Sequence, residues 1–184
     1  ERLAYYADDR VCIIYQYRFN PKVLKLKKEI DNGKYGDIKL VTVNYYRFKE
    51  DYYQGWRGSY TEAGGGVVVN VTIHYLDLIQ WIFGYPLEVA GFTTNMQTGI
   101  DVEDTAVAIM QLPGGAVASF TVSSHVQPEH HMEMGVYGTK GHTRVQLREN
   151  EYHKENFQAF LDNKNYVKPS EALKSLQMAE DIYA

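Results

Sequence analysis

Asn70, His74 and Asp77 interrupt an apolar run that carries Val67, Val68, Val69, Val71, Ile73, Leu76, Leu78, Ile79 and Ile82. Spacings of four and three residues set the three on one stripe of a helix expected over Val67–Phe83. A helix that is apolar almost all round is buried, and a polar stripe on it must be hydrogen-bonded or line a cavity. A histidine in such a stripe titrates near neutral pH and suits proton transfer. Asn70 can hydrogen-bond and orient a reacting oxygen but cannot take its proton. Asp77 reads as a structural partner rather than the base. The plainer alternatives are a core histidine with a satisfied ring and a buried amide tying the helix to a neighbouring strand.

Other residues invite chemistry less strongly. Gly64-Gly65-Gly66 opens the helix, either to allow a tight turn or to let a ligand approach the backbone closely. Both readings stand at this point. Arg57, in the aromatic segment Tyr52-Tyr53-Gln54-Gly55-Trp56-Arg57-Gly58, suits a phosphate or carboxylate, and its alternative is a surface charge beside a loop anchor. Arg18 has the same chemistry, with a structural ion pair as its alternative. His125, Glu129, His130, His131 and Glu133 match no tight ligand spacing, and Pro128 suggests a loop there, so no metal is expected. Glu103 and Asp104 are sequence neighbours before a strand and so point apart, which argues against a cooperating acid/base pair.

The elements that must position these groups follow from local signals. Asn20-Pro21 caps and starts a helix with Val23, Leu26 and Ile30 on its apolar face, stopped by Asn32-Gly33. Val11–Tyr15 reads as a buried strand, and Glu1–Asp8 as the end of a helix. Ile38–Phe48 and Leu87–Met96 read as strands. Thr105–Leu112 and Ala116–Ser123 read as a hairpin about Pro113-Gly114-Gly115. Met132–Tyr137 and Thr143–Leu147 form another pair. Two helices close the chain, from about Tyr152 to Leu161 and from the Ser170 cap, the second carrying Leu173, Leu176 and Ile182 inward. The expected class is α+β, a mostly antiparallel open sheet with helices packed on one face.

Composition bounds the function. A chain of 184 residues with 45% hydrophobic content builds a sizeable core. A net charge of −4 argues against a nucleic-acid partner. No apolar run is long enough to span a membrane, so no membrane partner is expected. Cys12 is the only cysteine, which excludes an internal disulfide and fits a cytoplasmic, reducing location. Sixteen tyrosines suit polar pockets and interfaces.

Five segments occur in order: Tyr15-Gln16-Tyr17-Arg18-Phe19-Asn20-Pro21, Gly55-Trp56-Arg57-Gly58, Gly64 to Trp81, Val102-Glu103-Asp104-Thr105, and Tyr137-Gly138-Thr139-Lys140-Gly141. The series resembles the C-terminal domain of the glucose–fructose oxidoreductase / inositol dehydrogenase (Gfo/Idh/MocA) family, whose fold is like that of the dihydrodipicolinate reductase C-terminal domain. The resemblance implies a parent with an N-terminal Rossmann domain that binds NAD or NADP and supplies a catalytic lysine. It implies that residues 1–16 are a remnant of that domain and residues 17–184 the domain for substrate binding and oligomerisation. Sugars, polyols or sugar nucleotides are the implied substrates, and a homodimer or homotetramer through the sheet the implied assembly. His74 matches the family's catalytic histidine, and Asn70 falls where many members carry aspartate or asparagine. Tyr17, Asn70, His74 and Arg57 are then expected near substrate, and Arg18 and Arg57 near the cofactor. The stretch between Gly141 and Tyr152 is shorter than in most members. The competing expectations are a carbohydrate-binding module without turnover and a purely structural oligomerisation domain.

Overall fold

The computed structural model describes residues 11–48, 51–97, 99–148 and 152–184. Six strands form one sheet in the order β2-β3-β4-β1-β5-β6. They are β1 (Ile38–Phe48), β2 (Glu88–Thr94), β3 (Thr105–Gln111), β4 (Val117–Ser123), β5 (His125–Gly138) and β6 (Gly141–Gln146). All neighbours are antiparallel except β1 and β4, which run parallel. Among the described residues four helices of nine residues or more complete the frame, α1 (Pro21–Asp31), α2 (Ile73–Phe83), α3 (His153–Leu161) and α4 (Pro169–Tyr183), with one short turn of helix at Tyr60–Ala63. The α+β class and the mostly antiparallel open sheet match the expectation.

Strict alternation builds the core. Val41, Val43 and Tyr45 of β1 point inward, as do Ala106, Ala108 and Met110 of β3 and Ala118, Phe120 and Val122 of β4. Register matches large to small: Phe120 lies opposite Ala108, and Ala118 opposite Met110. The buried face of α2 (Leu76, Leu78, Ile79, Ile82) joins the same cluster. α4 comes so close to β2 that a Cβ on Gly91 would meet the Ile182 side chain at 2.8 Å. The opposite sheet face stays open, with Leu40, Phe92, Val107, Ile109 and Val117 exposed.

Local signals place most elements well. Asn20 caps α1, its side chain accepting from the Lys22 backbone N–H at 2.8 Å. β1 has the expected bounds, and Gly114 and Gly115 turn the β3–β4 hairpin with φ of 82° and 84°.

Four expectations need correction. The helix expected over Val67–Phe83 is broken. Val67–Val71 forms a π-turn, α2 starts only at Ile73, and the segments on either side meet at 57°. The Thr72 hydroxyl donates to the Val67 and Val68 carbonyls at 2.8 and 3.3 Å, a back-bond that bends the ladder. Val11–Tyr15 is not a strand; only Ile13 bridges, to Val167, because among the described residues no continuous strand lies beside it. β5 runs through Pro128, where a loop was expected. Its register with β1 shifts between Asn44 and Tyr46 and between Tyr46 and Phe48, irregularities of the kind that tolerate proline. On α4 the buried stripe is Ala172, Ser175, Met178, Ala179 and Ile182, while Leu176 is exposed, because close packing on Gly91 favours the smaller residues. The helix expected at Glu1–Asp8 lies outside the described residues. No single helix among those described is long and apolar enough to cross a membrane.

Candidate functional site

His74 lies in the first turn of α2, half-buried. Two phenol rings frame its imidazole edge-on, Tyr15 at 5.6 Å and Tyr17 at 5.8 Å between centroids. Tyr17 in turn stacks on Tyr75 at 5.7 Å. Burial pushes the Tyr15 phenol up to about 12, so it stays a neutral hydroxyl at physiological pH. Imidazole is the ring among these whose ordinary pKa lies near neutrality.

The three polar residues do not form one stripe. Asn70 belongs to the π-turn, half-buried, and its side-chain amide donates to the Gly65 carbonyl. Its own backbone carbonyl accepts from the Tyr52 hydroxyl at 3.2 Å. Asp77, fully buried, is bound by Arg18. The Arg18 guanidinium donates to both Asp77 oxygens at 2.8 and 2.7 Å and to Glu171 of α4 at 2.7 Å, and Gln80 adds a fourth hydrogen bond at 3.1 Å. Burial works against the Arg18 cation, but the hydrogen bonds and charges of Asp77 and Glu171 outweigh it and hold its pKa above the ordinary arginine value. Burial likewise pushes the Asp77 carboxyl up, and the Arg18 hydrogen bonds and charge pull it back. The Arg18 donors are thus directed into the protein, and the triad ties the chain before α1 to α2 and α4.

Gly66 of the glycine run has a packing role. The buried Glu103 carboxylate accepts from the backbone N–H groups of Gly66 and Val68 at 2.7 and 2.9 Å and from the Tyr183 hydroxyl at 2.8 Å. Val67 donates to the Glu103 carbonyl at 2.9 Å. A Cβ on Gly66 would fall 1.7 Å from that carbonyl oxygen, so only glycine fits. The orphan donors that could attract an anion here are already taken by a side-chain carboxylate. Asp104 does a separate job, accepting from the Met96 and Gln97 backbone N–H groups at 2.9 and 3.1 Å. Spacing did not reveal Glu103 as the clamp, nor Tyr52 and Tyr15 as neighbours of the polar cluster. The nearest sequence signal was the density of tyrosines.

Arg57 stacks over Trp56 at 4.7 Å and Tyr52 at 5.2 Å. Through Tyr52 it stands one hydrogen bond from Asn70. The structure therefore gathers Tyr17 with His74 and Arg57 with Asn70, while Arg18 is held by Asp77 and Glu171. Among the described residues no group of three His, Cys, Asp or Glu side chains could hold a metal. His125 instead packs on the Phe48 ring at 4.8 Å, and the side chains of Glu129, His130 and His131 lie outside the described ones.

Comparison with known proteins agrees with this architecture. Residues 23–144 match the GFO/IDH/MocA C-terminal domain. Trans-1,2-dihydrobenzene-1,2-diol dehydrogenase of Bos taurus is 31% identical over 126 residues, 67% of this chain and 36% of that protein. Inositol 2-dehydrogenase of Rhizobium meliloti is 23% identical over 139 residues, 72% of this chain and 40% of that protein. The WlbA dehydrogenase of Bordetella pertussis, solved with NADH and UDP-GlcNAcA, superposes with a TM-score of 0.84 at 27% identity, over 95% of this chain and 60% of that one. The chain thus spans well under half the length of these two curated relatives. It belongs to the GFO/IDH/MocA oxidoreductase family and carries that family's C-terminal domain.

Proposed function

We propose that this chain is the substrate side of an NAD(P)-dependent dehydrogenase or reductase acting on a sugar, polyol or sugar nucleotide, with residues 1–16 the end of its nucleotide-binding domain and 17–184 the domain for substrate binding and oligomerisation. The observation that carries the reading is the half-buried His74 imidazole held between the rings of Tyr15 and Tyr17. A dinucleotide, when bound, supplies the nicotinamide that accepts or returns a hydride. The residues here fit the nicotinamide end of that cofactor rather than its pyrophosphate: Glu103 fills the glycine-rich helix start, and Arg18 is bound to Asp77 and Glu171. A cofactor role for Arg18 is therefore one of supporting the wall beside Tyr17.

Within this reading His74 takes the hydroxyl proton of an alcohol, or returns it to a carbonyl. Asn70 and Tyr17 orient the reacting oxygen, and Tyr15 keeps one flank of the imidazole dry. Arg57 is the remaining cation beside Asn70. WlbA binds UDP-GlcNAcA and the Rhizobium relative is named for inositol, which supports a polyhydroxylated substrate. The test is formation of reduced nicotinamide by the full-length protein over a panel of sugars, polyols and sugar nucleotides. Turnover with one of them supports the reading, and no turnover with either NAD or NADP overturns it.

Assembly through the open sheet face belongs to the same proposal. Phe92 is 85% exposed and Ile109 58%, side by side with Val107 and Val117, an apolar surface of the kind that marks association. Ile109→Lys should place a charge in that face and convert a dimer or tetramer to smaller species. Sedimentation velocity reads the change, and an unaltered distribution would remove the sheet from the interface.

A further inference from the structure

Among the described residues, Arg57 is the one cation of the candidate site whose donors are still free to meet a ligand. Its guanidinium lies over two aromatic faces, Trp56 at 4.7 Å and Tyr52 at 5.2 Å. Among the described residues it forms no ion pair and no hydrogen bond. Arg18 shows the contrast, with three of its nitrogens bound to carboxylates. Stacking uses the π-face of a guanidinium and leaves its N–H edge available for hydrogen bonding. That edge is a planar fork that matches carboxylate or phosphate oxygens two at a time. The stack is itself held in place, because the Tyr52 hydroxyl donates to the Asn70 carbonyl at 3.2 Å. Trp56 and Tyr60, each about half exposed (51% and 50%), add apolar surface against which a sugar ring can lie.

We propose that Arg57 is a specificity-determining residue that binds an anionic substituent of the substrate, a carboxylate or a phosphate, so that the natural substrate is an acidic or phosphorylated sugar rather than a neutral polyol. The inference rests on the reading of His74 and Asn70 as the substrate site.

Calorimetric titration of the full-length protein with D-glucose, D-glucuronate and D-glucose 6-phosphate, in the presence of NADH, tests this. The wild type should bind at least one of the two anions about tenfold or more tightly than glucose, the factor expected of a charge-assisted bidentate contact. Preference for glucuronate identifies a carboxylate, and preference for glucose 6-phosphate a phosphate. Arg57→Gln should bring the ratio to about one, and Arg57→Lys should restore part of it, since lysine keeps the charge but loses the fork. A ratio near one in the wild type, or no binding of either anion, overturns the inference. So does a ratio that persists in Arg57→Gln. If Arg57→Gln leaves the ratio intact and weakens NADH instead, the fork serves the cofactor's phosphates and the inference falls. Turnover of a His74→Ala variant reports separately on the underlying site. Full activity there removes the site reading itself, whereas an inactive variant with an unchanged anion ratio in Arg57→Gln removes only the role of Arg57.

Discussion

His74→Ala in the full-length protein should lower kcat by about 10²–10⁴-fold, the usual contribution of a positioned acid/base group. The expectation rests on what surrounds the imidazole. Tyr15 is held neutral by burial, its phenol pushed up to about 12. Asn70 carries an amide, which does not titrate, and its nitrogen is engaged by the Gly65 carbonyl. Asp77 is turned into the ion pair with Arg18. Imidazole is the side chain of this cluster whose ordinary pKa lies nearest neutrality. In the direction of alcohol oxidation the imidazole must be neutral, so the rate should fall as pH drops below the histidine pKa, and that acid limb should vanish in the variant. His74→Gln keeps most of the side-chain volume between the Tyr15 and Tyr17 rings and so separates lost chemistry from lost packing. Steady-state kinetics with circular dichroism as the folding control reads all three points. Turnover within a few-fold of wild type would end the assignment.

Asp77→Ala should destabilise the fold by about 3–5 kcal/mol. Side-chain exposure is 7% for Arg18 and 1% for Asp77, so the substitution leaves a buried guanidinium with Glu171 as its main partner. Glu171 is 41% exposed and screened by water, and it cannot replace a bidentate buried carboxylate. The damage reaches the site, because Arg18 follows Tyr17 directly and Asp77 lies three residues after His74 on α2. Replacing both partners by apolar residues, Arg18→Met with Asp77→Leu, should recover much of the loss, since removing both charges removes the unpaired one. Urea unfolding of the two single variants and the double variant measures the coupling. A cost for Asp77→Ala below about 1 kcal/mol, the range of an exposed pair, would show that the bridge carries little stability.

The elements that were legible in the residues are those governed by near neighbours. The Asn20 cap and Pro21 start α1 because cap and donor lie two residues apart. β1 alternates because pleating imposes a period of two whatever the partner strand. The Pro113-Gly114-Gly115 turn follows from the positive φ that glycine permits. His74 was legible too as a candidate, a titratable residue in an apolar run.

What only the tertiary structure decided involves partners distant in the chain. The break at Thr72 is invisible to hydrophobic periodicity, because a π-turn and an α-helix bury the same valines. It is held by Glu103, whose carboxylate grips Gly66 and Val68 from 37 and 35 residues away. The same clamp requires close packing at Gly66. Arg18 could have faced a ligand or an ion pair, and its choice of Asp77, 59 residues on, and Glu171, 153 residues on, follows from how α2 and α4 dock. Arg57 and Asn70 are thirteen positions apart and meet through Tyr52. Local sequence sets backbone propensity and marks which groups can do chemistry. Which charge finds which partner is set by packing, since a buried charge or donor must be satisfied by whatever the fold brings within about 3 Å.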